Sequence, residues 1–145
     1  MTGKSGNILI VEDNANFRKA LKEILLSRFP LMFIAQAADG REALLKLERH
    51  RPELIFLDID LPGKSGLVIT KEMKTIFPHV VIIILTHHDL PEYREAAYQN
   101  GAQYFLSKES TKADEIVALV ESILAGVKKL RVSPNESSTS PRGGS

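Results

Sequence analysis

The chain contains no cysteine. Disulfides, thiolate metal sites and thiol nucleophiles are therefore excluded, and the absence suits a reducing cytoplasm. There is no charge of one dominant sign: Lys plus Arg number 19 against 18 Asp plus Glu, for a net +1. The basic residues are spread among acidic ones rather than clustered, so direct nucleic-acid binding by this chain is not expected. No long apolar run occurs either. The longest, Val80 to Leu85, has the length of a strand and falls far short of the ~20 residues of a membrane-spanning helix. The first six residues, Met1-Thr2-Gly3-Lys4-Ser5-Gly6, lack the apolar core of a secretory signal. No internal repeat is present.

What remains is ordinary for a globular domain. Of 145 residues, 43% are hydrophobic and 26% charged, enough to bury one core without staples. Residues 1–6 read as a flexible N-terminus and 7–130 as one domain. Residues 131–145, rich in Ser, Pro and Gly, read as a flexible tail or linker.

Strand and helix signals alternate along the domain. Ile8-Leu9-Ile10-Val11 is uniformly apolar, as a strand buried on both faces should be. A helix over about 15–27 comes next, with Phe17, Leu21, Ile24 and Leu25 on one side. Phe33 to Ala37 predicts a second strand, Asp39-Gly40 a turn, and Ala43, Leu44 and Leu47 a second helix closed before Pro52. Leu54-Ile55-Phe56-Leu57 is the third strand and ends on Asp58; Ser65 is the expected cap of a helix to about Phe77. Val80 to Leu85 is the fourth strand. A helix over about 91–100 succeeds it, with Pro at its first turn and Gly101 closing it. Tyr104-Phe105-Leu106 is a short fifth strand, and a last helix runs over about 112–129. Five βα units in succession predict an α/β, flavodoxin-like, doubly wound (βα)5 fold. Its parallel sheet has the order 2-1-3-4-5, with helices on both faces.

In such a sheet ligands bind at the carboxyl ends of the strands. Glu12 and Asp13 come after strand one, Asp58 after strand three, Thr86 after strand four and Lys108 after strand five. Three carboxylates brought to one edge repel one another unless a cation compensates, and a hard ion such as Mg²⁺, with Mn²⁺ as an alternative, suits oxygen ligands. Asp13 and Asp58 would bind it directly, Glu12 through water, and the Asp60 backbone carbonyl would complete the shell. An Asp58 oxygen could then attack an activated phosphoryl group, with the Lys108 ammonium and the Thr86 hydroxyl on the equatorial oxygens.

Four segments in order carry a family resemblance. They are Ile8-Leu9-Ile10-Val11-Glu12-Asp13, Leu57-Asp58-Ile59-Asp60-Leu61-Pro62-Gly63-Lys64-Ser65-Gly66, Leu85-Thr86, and Gly101-Ala102-Gln103-Tyr104-Phe105-Leu106-Ser107-Lys108. The chain resembles the receiver domains of bacterial two-component response regulators, and most of all receivers with a helix-turn-helix output domain. The resemblance implies phosphoryl transfer to Asp58 from a sensor histidine kinase or phosphotransfer protein, in the cytoplasm. It implies a switch through Thr86 and the aromatic Phe105, and a changed surface on the fourth helix, fifth strand and fifth helix that controls an output domain or forms a homodimer. Control of transcription is one such output. It also implies self-phosphorylation from small phosphodonors and self-dephosphorylation rather than conventional turnover. The alternative is a pseudo-receiver, an interaction module without the switch. His87 after Thr86 and Glu109 after Lys108 depart from the family pattern, as does Glu12 where Asp is common; Asp60 and His88 stand where the family tunes phosphoryl loss.

Three other patterns fail. Asp58-Ile59-Asp60 runs into Leu61-Pro62 after a third strand, unlike the paired aspartates of haloacid-dehalogenase-type phosphatases. Gly63-Lys64-Ser65 has Asp58 where a phosphate-binding loop requires Gly. His87-His88, with only His50 and His79 elsewhere, is a poor transition-metal site.

Overall fold

The computed structural model describes residues 5–132. In chain order the elements are β1 (Ser5–Val11), α1 (Ala15–Arg28), β2 (Leu31–Ala37), α2 (Gly40–His50), β3 (Leu54–Leu57), α3 (Gly66–Ile76), β4 (Val81–Thr86), α4 (Pro91–Gln99), β5 (Tyr104–Ser107) and α5 (Ala113–Val132). The strands form one parallel sheet, as the alternation of apolar strands and amphipathic helices predicts, in the order β2-β1-β3-β4-β5 expected of the flavodoxin-like fold. The chain divides between Thr111 and Lys112 into two compact units, the second of which contains α5.

Within the first unit the alternation of side chains across a strand sorts the core. Leu9 and Val11 of β1, Ile55 and Leu57 of β3, and Ile82 and Ile84 of β4 join Ala43 and Leu47 of α2, Ile69 and Met73 of α3, and Ala97 of α4 in one cluster. The intervening residues Ile8, Ile10, Leu54, Phe56 and Ile83 are also buried but lie on the other side of the sheet, where α1 packs on β1 and β2 through Leu21 and Leu25. Each buried aliphatic or aromatic side chain contributes about 1.5–3 kcal/mol, so the sheet has no face to spare for solvent. In α5, Ile116, Val117, Val120, Ile123 and Leu124 are buried. They recur at helical spacing on a single stripe.

Side chains cap three of the helix starts, at Ser65 as the sequence predicts and also at Asn14 and Asp39. Asn14 Oδ1 accepts from the Phe17 amide at 3.0 Å, and Ser65 Oγ from the Leu67 amide at 3.0 Å. At α2 the cap is reciprocal: Asp39 Oδ1 accepts from the Glu42 amide at 2.9 Å, while Glu42 Oε1 accepts from the Ala38 amide at 2.8 Å. That bond, more than the neighbouring Lys46, holds the Glu42 carboxyl below its ordinary value of 4.5. Glu42→Ala is therefore expected to lose ~1 kcal/mol of stability at neutral pH. A carboxylate with a depressed folded-state pKa contributes above its unfolded value and loses that contribution as pH falls through the folded one. The deficit, measured by denaturant unfolding, should accordingly vanish in acid.

Several boundaries differ from the sequence expectation. β1 begins at Ser5, not Ile8, so Ser5 and Gly6 belong to the sheet and not to an N-terminal tail. The residues involved carry no apolar signal; they join through backbone pairing with Leu31 and Met32 and through Asn7, whose side chain donates to the His50 carbonyl at 2.9 Å. β2 likewise starts at Leu31, two residues early. α5 continues to Val132, past the expected end near 129, because nothing before Ser133-Pro134 breaks a helix. The predicted flexibility of residues 1–4 and 133–145 concerns positions outside the described residues.

Candidate functional site

Strand register builds the site. Val11 is paired with Leu57, so the next residues, Glu12 and Asp58, leave the sheet side by side, the Asp58 amide donating to the Val11 carbonyl at 3.1 Å. Thr86 is paired with Ser107, which delivers Lys108 from the neighbouring strand; its amide donates to the Thr86 carbonyl at 2.9 Å. The Lys108 ammonium then spans the edge of the sheet. Its Nζ lies 2.7 Å from Glu12 Oε1 and 3.0 Å from Asp58 Oδ2, with all three side chains about 95% buried. Asp13, exposed at the mouth, completes a group of three carboxylates that can each present an oxygen within 4.8 Å of the others.

The electrostatics stem from this burial. Glu12 is held above the usual 4.5 chiefly by burial, with Asp58 adding to the rise and the Lys108 and Asn14 bonds opposing it. Burial also works against the Lys108 ammonium, yet its bonds to Glu12 and Asp58 win and carry it above 10.5. The Lys108 ammonium bridges two of the three carboxylates, Glu12 and Asp58. The donor set is hard and anionic, which fits a hydrated divalent cation.

The remaining predicted residues lie around this cluster. Asp60 turns back so that its amide donates to Asp58 Oδ1 at 3.2 Å, leaving its side chain exposed and 3.6 Å from His88 Nε2. Thr86 is fully buried, and its hydroxyl oxygen accepts from the His88 amide at 3.3 Å. Phe105 is buried on β5 in register with Ile84, two residues before Thr86. His87 pairs with Glu109 across the two loops that carry Thr86 and Lys108. No cis peptide bond comes after Lys108 or occurs elsewhere among the described residues.

Three contributors are not singled out by the sequence as parts of the site. Phe17, expected only as part of a helix face, places its ring 4.3 Å from Lys108 Nζ, a cation–π contact. Arg18 donates to the Glu12 carbonyl at 2.6 Å. Gly66 packs against the backbone of Asp58: a Cβ there would stand 2.0 Å from the Asp58 carbonyl oxygen.

Among known proteins, the model of the response regulator receiver domain matches residues 8–121. The oxygen regulatory protein NreC of Staphylococcus haemolyticus is 34% identical over 113 residues, covering 77% of this chain and 52% of that protein. The chain thus spans about half the length of the curated relatives it matches. Two solved structures share the fold closely. The LuxR-family two-component response regulator of Aurantimonas is 29% identical, with a TM-score of 0.77 over 85% of this chain and 87% of that one. The LuxR-family DNA-binding response regulator of Staphylococcus aureus is 26% identical, with a TM-score of 0.75 over 82% and 98%. Among the described residues, no helix is long and apolar enough to cross a membrane.

Proposed function

Because the chain belongs to the response regulator receiver domain family, whose members are not conventional turnover enzymes, we propose that Asp58 is its phosphoryl acceptor and a sensor histidine kinase its donor. The observation that carries this reading is the buried Glu12–Lys108–Asp58 bridge with Asp13 at its mouth. An Asp58 carboxylate oxygen forms the new bond to phosphorus. The bond from phosphorus to the donor's imidazole nitrogen breaks, and the imidazole keeps the electron pair and takes up a proton. Lys108 supplies positive charge to the transferred oxygens, and the Thr86 hydroxyl donates to one of them once the phosphoryl group has arrived. A divalent ion such as Mg²⁺ would be held by Asp13, Asp58, the Asp60 carbonyl and, through water, Glu12. It supplies further neutralisation of the phosphoryl oxygens.

Occupation of the site then biases a two-state element: Thr86 is drawn toward the phosphoryl group, the Phe105 ring settles behind it in the inward, buried position, and the surface of the fourth helix, fifth strand and fifth helix changes partners. With LuxR-family and NreC-type relatives, the output is control of transcription through a further domain or a partner protein.

Incubation with acetyl phosphate and Mg²⁺ tests the acceptor. A phosphate adduct should form on the peptide containing Asp58, disappear when the metal is chelated, and be absent from Asp58→Asn. Undiminished labelling of Asp58→Asn would refute the assignment. The pseudo-receiver reading draws on the His87–Glu109 pair beside the site, and a titration showing no Mg²⁺ binding would favour it.

A further inference from the structure

The guanidinium of Arg94, in the first turn of α4, makes three contacts at once. Nη2 donates to Asp89 Oδ1 at 2.6 Å, in the loop between Thr86 and α4. Nη1 donates to the Phe105 carbonyl at 3.4 Å. Its central carbon lies 4.7 Å from the centroid of the Phe105 ring. A planar cation with a fixed fork of donors is suited to stacking and hydrogen bonding together. Phe105 itself is buried in the cluster with residues of α3 and α4, so the guanidinium lies over the face of a buried ring.

The loop matters as much as the ring. Thr86 Oγ1 is bonded to the His88 amide, and the Asp89 amide donates to the His87 carbonyl at 3.0 Å. A displacement of Thr86 is therefore passed along a short, bonded loop to Asp89, and from Asp89 to the group that caps Phe105. We propose that Arg94 is a positioning residue of the switch: it holds the Phe105 ring in its buried position and ties that position to the loop carrying Thr86. This rests on the phosphoryl-acceptor reading above, in which the Phe105 ring settles inward behind Thr86.

The test uses the full chain, with Mg²⁺ and beryllofluoride as the phosphoryl mimic and ring-labelled Phe monitored by NMR. Arg94→Met, which keeps the aliphatic stem, should weaken beryllofluoride binding about fivefold, the equivalent of a ~1 kcal/mol cation–π contact. Asp89→Asn should weaken it in the same direction. In the double variant Arg94→Met with Phe105→Leu, the loss should not exceed the larger single loss; losses that simply multiply would overturn the proposal. Before any beryllofluoride is added, the Phe105 ring resonances should already differ in Arg94→Met, and unchanged resonances would overturn it as well. If beryllofluoride fails to bind the wild-type chain, the acceptor reading falls, while the ring resonances still decide whether Arg94 positions Phe105.

Discussion

Replacing Lys108 with Met is expected to slow phosphorylation of Asp58 by about 10²–10³-fold, the scale for loss of one preorganised charge-stabilising group. The same substitution should move metal affinity the other way. Among the described residues Lys108 is the ammonium bonded to both Glu12 and Asp58; without it the three carboxylates attract a cation more strongly, and Mg²⁺ binding should tighten by roughly tenfold, a change of ~1.4 kcal/mol. Stability changes too. A buried pair that loses one partner leaves an uncompensated charge, for which losses of ~3–5 kcal/mol are typical, and added Mg²⁺ should restore much of it. Metal titration and thermal unfolding with and without Mg²⁺ check both halves. Weaker Mg²⁺ binding in Lys108→Met would mean that the ammonium helps assemble the site and does not merely neutralise it.

Gly66→Ala should be the most destabilising conservative change in the loop between Asp58 and α3. An added Cβ meets the Asp58 carbonyl oxygen at 2.0 Å, the Asp58 carbonyl carbon at 2.8 Å and Ile59 Cα at 2.8 Å. All three are backbone atoms, so no rotamer change relieves the clash. The Gly66 amide also donates to the Ile59 carbonyl at 2.8 Å, which prevents the loop from backing away. A loss of ~3 kcal/mol is expected, or roughly 10 °C in melting temperature for a domain of this size. Since the displaced backbone is that of Asp58, the molecules that do fold should also accept phosphoryl groups poorly. Gly63→Ala is the control. Its Cβ would meet nothing within 4 Å, and its positive φ of 80° carries only local strain.

How far each of these features could be read in advance depends on its range along the chain. Apolar strands and their polar ends are local signals, so five parallel strands with Glu12, Asp13, Asp58, Thr86 and Lys108 at their carboxyl ends are legible in the pattern; the order 2-1-3-4-5, which makes those ends converge, is that of the flavodoxin-like fold and does not follow from the alternation itself. Ser65 as a cap and Gly101 as a helix terminator were legible because each acts on its own neighbours. Ser5 and Gly6 were not, since a backbone ladder with Leu31 and Met32 leaves no trace in side-chain pattern. Phe17 reads as one more apolar residue of α1; its place over Lys108 depends on how that helix leaves the site. Arg94 reads as a solvated helix residue, and only the approach of β5 to α4 gives it Phe105. The glycine in Lys64-Ser65-Gly66 belongs to a recognisable motif, but the motif alone does not reveal that it abuts the Asp58 carbonyl.

The bond from Lys108 to Asp58 spans 50 positions, and the one to Glu12 spans still more. During synthesis, the acidic half of the site therefore emerges well before its counter-ion. A nascent chain that ends short of Lys108 holds Glu12 and Asp58 with no ammonium between them, and it also lacks β5, the edge strand that delivers one. On the reading proposed above, competence to take up a phosphoryl group is a late product of translation, reached only once β5 has closed the sheet and brought Lys108 to the acids.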